Sequence, residues 1–183
     1  MTNRIVKSLL RMKSGKTNLG LEFDRLRNWL HLLPRQDWSD IEKYFIISTG
    51  RTGTQFLARF LNKYDCLYSV HEPEPDFVKL GVEFAYGNIS KEKAIKEIEK
   101  GRRAICRDVK RTDKEKYVES NNRLFSMIEV LDEVFNDYKI IHIVRDGRDY
   151  VRSGMSREWL YSENDGHPLM KASMIEDDPD KEK

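Results

Sequence analysis

From Tyr44 to Phe60 the chain reads YFIISTGRTGTQFLARF: an unbroken apolar run, two glycines three residues apart, then apolar residues recurring at helical spacing. This strand-loop-helix constrains the fold more than any other stretch. An apolar run of this kind suits a strand buried on both faces, and the helix after it must pack back on the sheet that the strand enters. The loop from Ser48 to Thr54 supplies flexible backbone, several hydroxyls, the cation Arg51 and the free amides of a helix N-terminus. Those amides and the helix dipole favour an anion, and Gly50 and Gly53 let phosphate oxygens approach the main chain. The loop is not a Walker A sequence, because it is too short for that pattern and no lysine precedes Thr54. A plain nucleoside triphosphatase is therefore disfavoured, while an ordinary βα turn remains the alternative for this loop taken alone.

Strand and helix patterns continue to alternate downstream. Strands are expected at Tyr44 to Ser48, Leu67 to Val70, Arg103 to Arg107 and Lys139 to Val144, the last reading as a buried strand. Helices are expected at Thr54 to Lys63, Asp76 to Tyr86, Ser90 to Lys100, Asn121 to Phe135 and Arg148 to Trp159. Crossover helices between strands imply an α/β fold with a mostly parallel sheet flanked by helices, whose ligand lies beyond the carboxyl ends of the strands. Three regions follow: a basic lead-in and amphipathic helix over residues 1–40, an α/β domain over 41–160, and a polar charged tail or truncated continuation over 161–183. The first carries Arg4, Lys7, Arg11, Lys13 and Lys16 and then the apolar stripe Leu19, Leu21, Phe23, Leu26, Trp29, Leu30, Leu32 and Leu33. A helix packed on the domain by that stripe is expected, with a membrane-surface or phosphate-binding arm as the alternative.

Composition narrows the partners. With 183 residues and a net charge of only +2, bulk charge points to neither nucleic acid nor membrane, so any anion site depends on local placement. No apolar stretch approaches the ~20 residues that span a bilayer, and the expectation is a soluble, cytoplasmic chain. Cys66 and Cys106 lack metal-ligand spacing and are expected as buried, unpaired thiols.

The second informative strand end is KIIHIVRDGRDYVRSGMSR, in which Arg145 closes the strand and Ser153 follows eight residues later on a helix. A guanidinium fork and a hydroxyl suit a phosphate monoester. Arg148, Asp149 and Arg152 read instead as surface ion pairs with Asp146. TGRTGT with its apolar helix, together with IVRDGRDYVRS at a later strand end, resembles the sulfotransferases that use 3′-phosphoadenosine 5′-phosphosulfate. The resemblance covers Glu42 to Arg157 and implies a P-loop-like three-layer sandwich. In that family the first loop holds the 5′-phosphosulfate and the second motif holds the 3′-phosphate. Gly50, Arg51, Thr52, Gly53, Thr54 and Gln55 fall on the first; Arg145 and Ser153 fall on the second, with Gly147 where proline is more frequent.

The resemblance implies an enzyme that moves a sulfuryl group to a hydroxyl or amine acceptor, with a nucleotide cosubstrate and no metal. Arg51 is the cation for the developing charge. His71-Glu72-Pro73 resembles the HEP segment of many bacterial sulfotransferases, so Glu72 is the first candidate base and His71 the second. The bland readings are an ion pair between Glu72 and Arg51, and an imidazole bonded to backbone. Arg107, Asp108 and Lys110 could face the acceptor from a third strand end. YVESNNRLF falls where related enzymes carry a Glu-Lys-Ser/Thr-Pro segment, and Asn121 reads as the N-cap of the next helix. Domains of the family continue past the second motif, so a fold incomplete at the C-terminus is expected. A P-loop small-molecule kinase and a non-catalytic nucleotide-binding or interaction module left by truncation are the competing functions; neither the acceptor nor the oligomeric state follows from the sequence.

Overall fold

A computed structural model describes residues 18–30, 32–49, 52–112 and 114–155. The chain order is α1 (Leu19–Trp29), β1 (Glu42–Ser48), α2 (Thr54–Leu61), β2 (Leu67–His71), α3 (Val78–Ala85), α4 (Lys91–Arg111) and β3 (Lys116–Ser120). A 3-10 turn (Leu124–Met127), α5 (Ile128–Val134), β4 (Tyr138–Ile143) and α6 (Gly147–Met155) complete it. The four strands form one sheet in the order β2-β3-β1-β4, and every pair is parallel. The α/β class expected from the alternating pattern is the fold observed.

Alternation along β1 separates the two faces of the sheet. Phe45 and Ile47 bury in one cluster with Tyr117 of β3, Ile98, Ile105 and Val109 of α4, and Val130, Leu131 and Phe135 at α5. Ile46, Val118 and Ala58 of α2 are equally buried but lie outside that cluster, and α2 packs on β2 and β3. Helices therefore cover both faces. The chain leaves β1 through α2 towards β2 on one side, and leaves β3 through α5 towards β4 on the other. Adjacent strands whose connections diverge open a crevice at their carboxyl ends, here between β1 and β3.

Several local expectations need correction. The Arg103 to Arg107 segment is helical, because α4 runs unbroken to Arg111. Ala94, Ile98, Ile105 and Val109 are all buried at helical spacing, so the short Ala-Ile-Cys run is part of one long amphipathic face. The strand missing from the sequence reading is β3, a short segment whose buried positions include a glutamate. Asn121 to Phe135 is a 3-10 turn followed by a short α-helix, and the turn is preceded by Arg123 rather than capped by Asn121. Ile140 and Ile141 of the supposedly buried β4 are 37% and 43% exposed. That strand lies at the sheet edge, and among the described residues only β1 makes extensive contact with it.

Helix α1 does pack on the domain, against α4, but mainly by polar residues; of the expected apolar stripe Leu21 packs against the core, and Leu33 is buried beyond the helix. Glu22, Asp24 and Asn28 are buried, whereas Leu19, Phe23 and Leu30 are exposed. Asp24 pairs with Arg107 and Arg111, the Asn28 amide donates to the Lys100 carbonyl, and Asn18 caps α1 while donating to Asp108. Residues 1–17, including the basic lead-in, and residues 156–183 lie outside the described residues. Among the described residues no helix is long and apolar enough to cross a membrane.

Both cysteines are free, as expected, but Cys66 is exposed and only Cys106 is buried. Cys66 sits in the turn before β2, outside the apolar core. Burial pushes the Cys106 thiol up to about 12. The unfolded thiol ionises first as pH rises, so the stability this group contributes near neutrality is lost from the usual thiol range towards pH 12. Thiol labelling at pH 8 should modify Cys66 in the native chain and Cys106 only after unfolding; prompt labelling of both in native protein would contradict this packing.

Candidate functional site

The loops that leave the four strands share one edge of the sheet. Ser48 of β1 stands opposite Ile143 of β4, Ile46 opposite Ser120 of β3, and His71 of β2 opposite Ser120. The β1 loop enters α2 through Gly53, whose φ of +82° is a left-handed conformation that a side chain would strain. An added Cβ there would meet nothing within 4 Å, so conformation and not space selects glycine. Gly53 has no side chain to cap α2, which leaves the amides of the first turn without an intrahelical partner. Thr54 is buried, Gln55 is exposed, and the Thr52 hydroxyl oxygen is buried without a hydrogen bond. Gly50 and Arg51 lie outside the described residues.

Arg145 follows β4 and is exposed, and Ser153 lies half-buried on α6. Between them, Asp146 accepts two hydrogen bonds from the Arg148 guanidinium, and Arg152 pairs with Asp149, as the ion-pair reading of these residues expects. The Arg148 side chain, with its amide, holds the Asp146 carboxyl below the usual range.

On the other side of β1, the Glu72 amide donates to the Ser120 carbonyl at 2.9 Å. Glu72 has φ of +41°, an uncommon backbone state for a residue with a side chain. Its carboxylate makes no ion pair or hydrogen bond among the described residues. The His71 Nδ1 lies 3.1 Å from the Ser120 carbonyl oxygen. A carbonyl only accepts, so Nδ1 carries the proton and Nε2 is left as the basic nitrogen. The expected backbone bond thus orients the ring rather than removing it from chemistry.

Arg107, Asp108 and Lys110 do not face this edge. They occupy the last turns of α4, which leads into the start of β3 and so lies at the opposite end of the sheet. Asp108 is buried there between Asn18 and the Tyr68 hydroxyl, and burial together with this bond raises the tyrosine.

Two residues that the sequence reading passed over hold the edge in place. Arg102 of α4 and Glu119 of β3, 1% and 0% exposed, form a two-pronged pair at 2.8 and 2.6 Å. The Tyr117 hydroxyl and the Asn121 amide also donate to Glu119, at 2.6 and 2.9 Å. Asn121 in turn accepts from the Arg123 amide, which shapes the turn after β3. Burial opposes the charge on Arg102, and the Glu119 carboxylate together with Tyr117 and Asp76 raises the guanidinium on balance. Arg102 also donates to the Pro75 carbonyl at 2.9 Å and lies 4.1 Å from the Phe77 ring centre. Next to it, a Cβ on Gly101 would come within 2.6 Å of Phe77 and 2.8 Å of Pro75. The loop that begins at Glu72 is therefore seated directly on α4.

Among the described residues no group of three or more histidine, cysteine, aspartate or glutamate side chains is placed to hold a metal ion. No protein-family model, curated protein or solved structure matches this chain.

The packing of Phe77 and Pro75 on Gly101 gives a direct test. Gly101→Ala should lower stability by about 1–3 kcal/mol, because the added methyl group overpacks a rigid contact. Denaturant unfolding measures it, and an unchanged midpoint would show that the loop does not rest on α4 as described.

Proposed function

We propose that this chain is a sulfotransferase, or the nucleotide-binding part of one, that uses 3′-phosphoadenosine 5′-phosphosulfate as donor and a hydroxyl or amine as acceptor. The observation that carries the reading is the register Ser48↔Ile143, which brings the exits of β1 and β4 level on neighbouring strands. The two motifs that resemble the family's phosphate-binding segments thus leave the same edge of the sheet side by side. The residues present fit a phosphorylated nucleotide: the first amides of α2 are uncapped, Gly53 leaves open space beside the backbone, and the buried Thr52 hydroxyl lacks a partner.

In this reading Thr52, Gly53, Thr54 and Gln55, with Gly50 and Arg51, hold the 5′-phosphosulfate, and Arg145 and Ser153 hold the 3′-phosphate. When bound, the nucleotide supplies the sulfuryl group that passes to the acceptor oxygen or nitrogen. Arg51 stays protonated and stabilises the charge that develops on the leaving phosphate. Glu72, on a loop braced by α4, takes the acceptor proton, with His71 Nε2 as the second candidate. No step requires a metal ion.

Calorimetric titration tests the reading. Adenosine 3′,5′-bisphosphate should bind the folded chain more tightly than adenosine 5′-monophosphate, and Arg145→Ala should remove most of that preference. Arg51→Ala should reduce turnover by about 10²-fold or more while weakening nucleotide affinity less. Absence of bisphosphate binding would overturn the assignment. Saturable binding of ATP with magnesium and no preference for a 3′-phosphate would favour a small-molecule kinase.

A further inference from the structure

Four described side chains bury a polar atom and make no hydrogen bond through any atom of the side chain: Thr52, Ser69, Asn122 and Arg123. Other side chains with an unsatisfied buried atom, such as Asp24, Arg25, Asn28 and Arg103, are each anchored through a second atom. Three of the four unpartnered side chains stand on the loops that leave β1 and β3, the adjacent strands that bound the crevice. Arg123 is the most telling of them. Its Nε and Nη1 are both buried, and no aspartate or glutamate among the described residues lies within ion-pair distance. The side chain as a whole is half-buried, whereas Arg102, the fully buried arginine of this region, has the Glu119 carboxylate on its fork.

Two guanidinium nitrogens desolvated without an acceptor are unfavourable, and an oxyanion on the fork would offset that loss. The neighbouring Asn122 is 8% exposed, and its buried Oδ1 is an acceptor that calls for a hydroxyl or amino donor. An anionic group beside a hydroxyl or amine satisfies both residues together. The position of the turn assigns the ligand: Arg123 follows β3, whose Ser120 receives the Glu72 amide and the His71 ring, whereas Arg145 follows β4 on the far side of β1.

We infer that the Asn122–Arg123 turn is an oxyanion subsite on the acceptor side of the crevice, so that the acceptor carries a phosphate, carboxylate or sulfate group close to its reacting hydroxyl or amine. The assignment to the acceptor rests on the sulfotransferase reading, in which the nucleotide occupies the exits of β1 and β4. The oxyanion subsite itself does not.

Thermal unfolding of the full chain tests it, with inorganic phosphate titrated against chloride at constant ionic strength and adenosine 3′,5′-bisphosphate present at saturation. Phosphate should raise the melting temperature of the wild type. Arg123→Met should need at least tenfold more phosphate for the same rise while keeping its response to the bisphosphate. A phosphate response retained in Arg123→Met overturns the inference, and so does loss of the bisphosphate response together with it, since Arg123 would then serve the nucleotide. If the wild type ignores the bisphosphate, the sulfotransferase reading fails by itself, and phosphate alone is titrated; lack of an Arg123-dependent rise there overturns the subsite too. Should Arg123→Met not fold, Arg123→Lys keeps the charge without the fork and should show a weakened phosphate response, an unchanged one being contrary.

Discussion

The Arg102–Glu119 fork is the interaction on which the arrangement of the sheet edge depends. It joins the long helix α4 to β3 in a fully buried setting, and Tyr117, Asn121 and the Pro75 carbonyl complete its hydrogen bonding. A buried ion pair adds little net stability over well-packed apolar residues, but removal of one partner leaves an uncompensated charge and costs about 3–5 kcal/mol. Its effect here is positional. Through Asn121 it sets the turn that carries Asn122 and Arg123, and through Pro75 and Phe77 it seats the loop that begins at Glu72.

From that brace the geometry of the edge follows. β3 lies between β2 and β1, so fixing its exit fixes the neighbours that hydrogen-bond to it, including the Glu72 amide and the His71 ring on Ser120. β1 then carries the glycine loop level with the exit of β4. The strained φ of Glu72 and the left-handed φ of Gly53 fall on this same edge, and the polar groups left unpartnered at Thr52, Asn122 and Arg123 belong to it. Positive φ also occurs at Phe77 and Asp137, and unmet polar atoms also occur at Ser69 and on the α1 side, but the groups on this edge are the ones a bound ligand would reach under the proposed function.

The fold class was legible from the sequence because β1, β2, β4 and most helices carry clean apolar periodicity. β3 was not, because Glu119 occupies a core position that only a distant arginine makes tolerable, and no local pattern announces that pairing. The same fact hid Arg102, which falls between the helix expected to end at Lys100 and the strand expected to begin at Arg103. At Gly101 the missing side chain makes room for Phe77 and Pro75, a long-range contact that no local pattern announces. In α1 the apolar stripe was legible and its orientation was not, since the buried face is held by pairing of Asp24 with Arg107 and Arg111. The glycine loop and the Arg145 to Ser153 segment were readable as motifs, but their adjacency depends on strand order, which sequence patterning leaves open.

Under the proposed function, one nucleotide bridges the exits of β1 and β4. A crystal structure of the chain with adenosine 3′,5′-bisphosphate tests this most directly. The 5′-phosphate should lie against the amides of Thr52 to Gln55 and the 3′-phosphate against Arg145 and Ser153. A nucleotide bound at the exits of β2 and β3, or with its 3′-phosphate free in solvent, would contradict it.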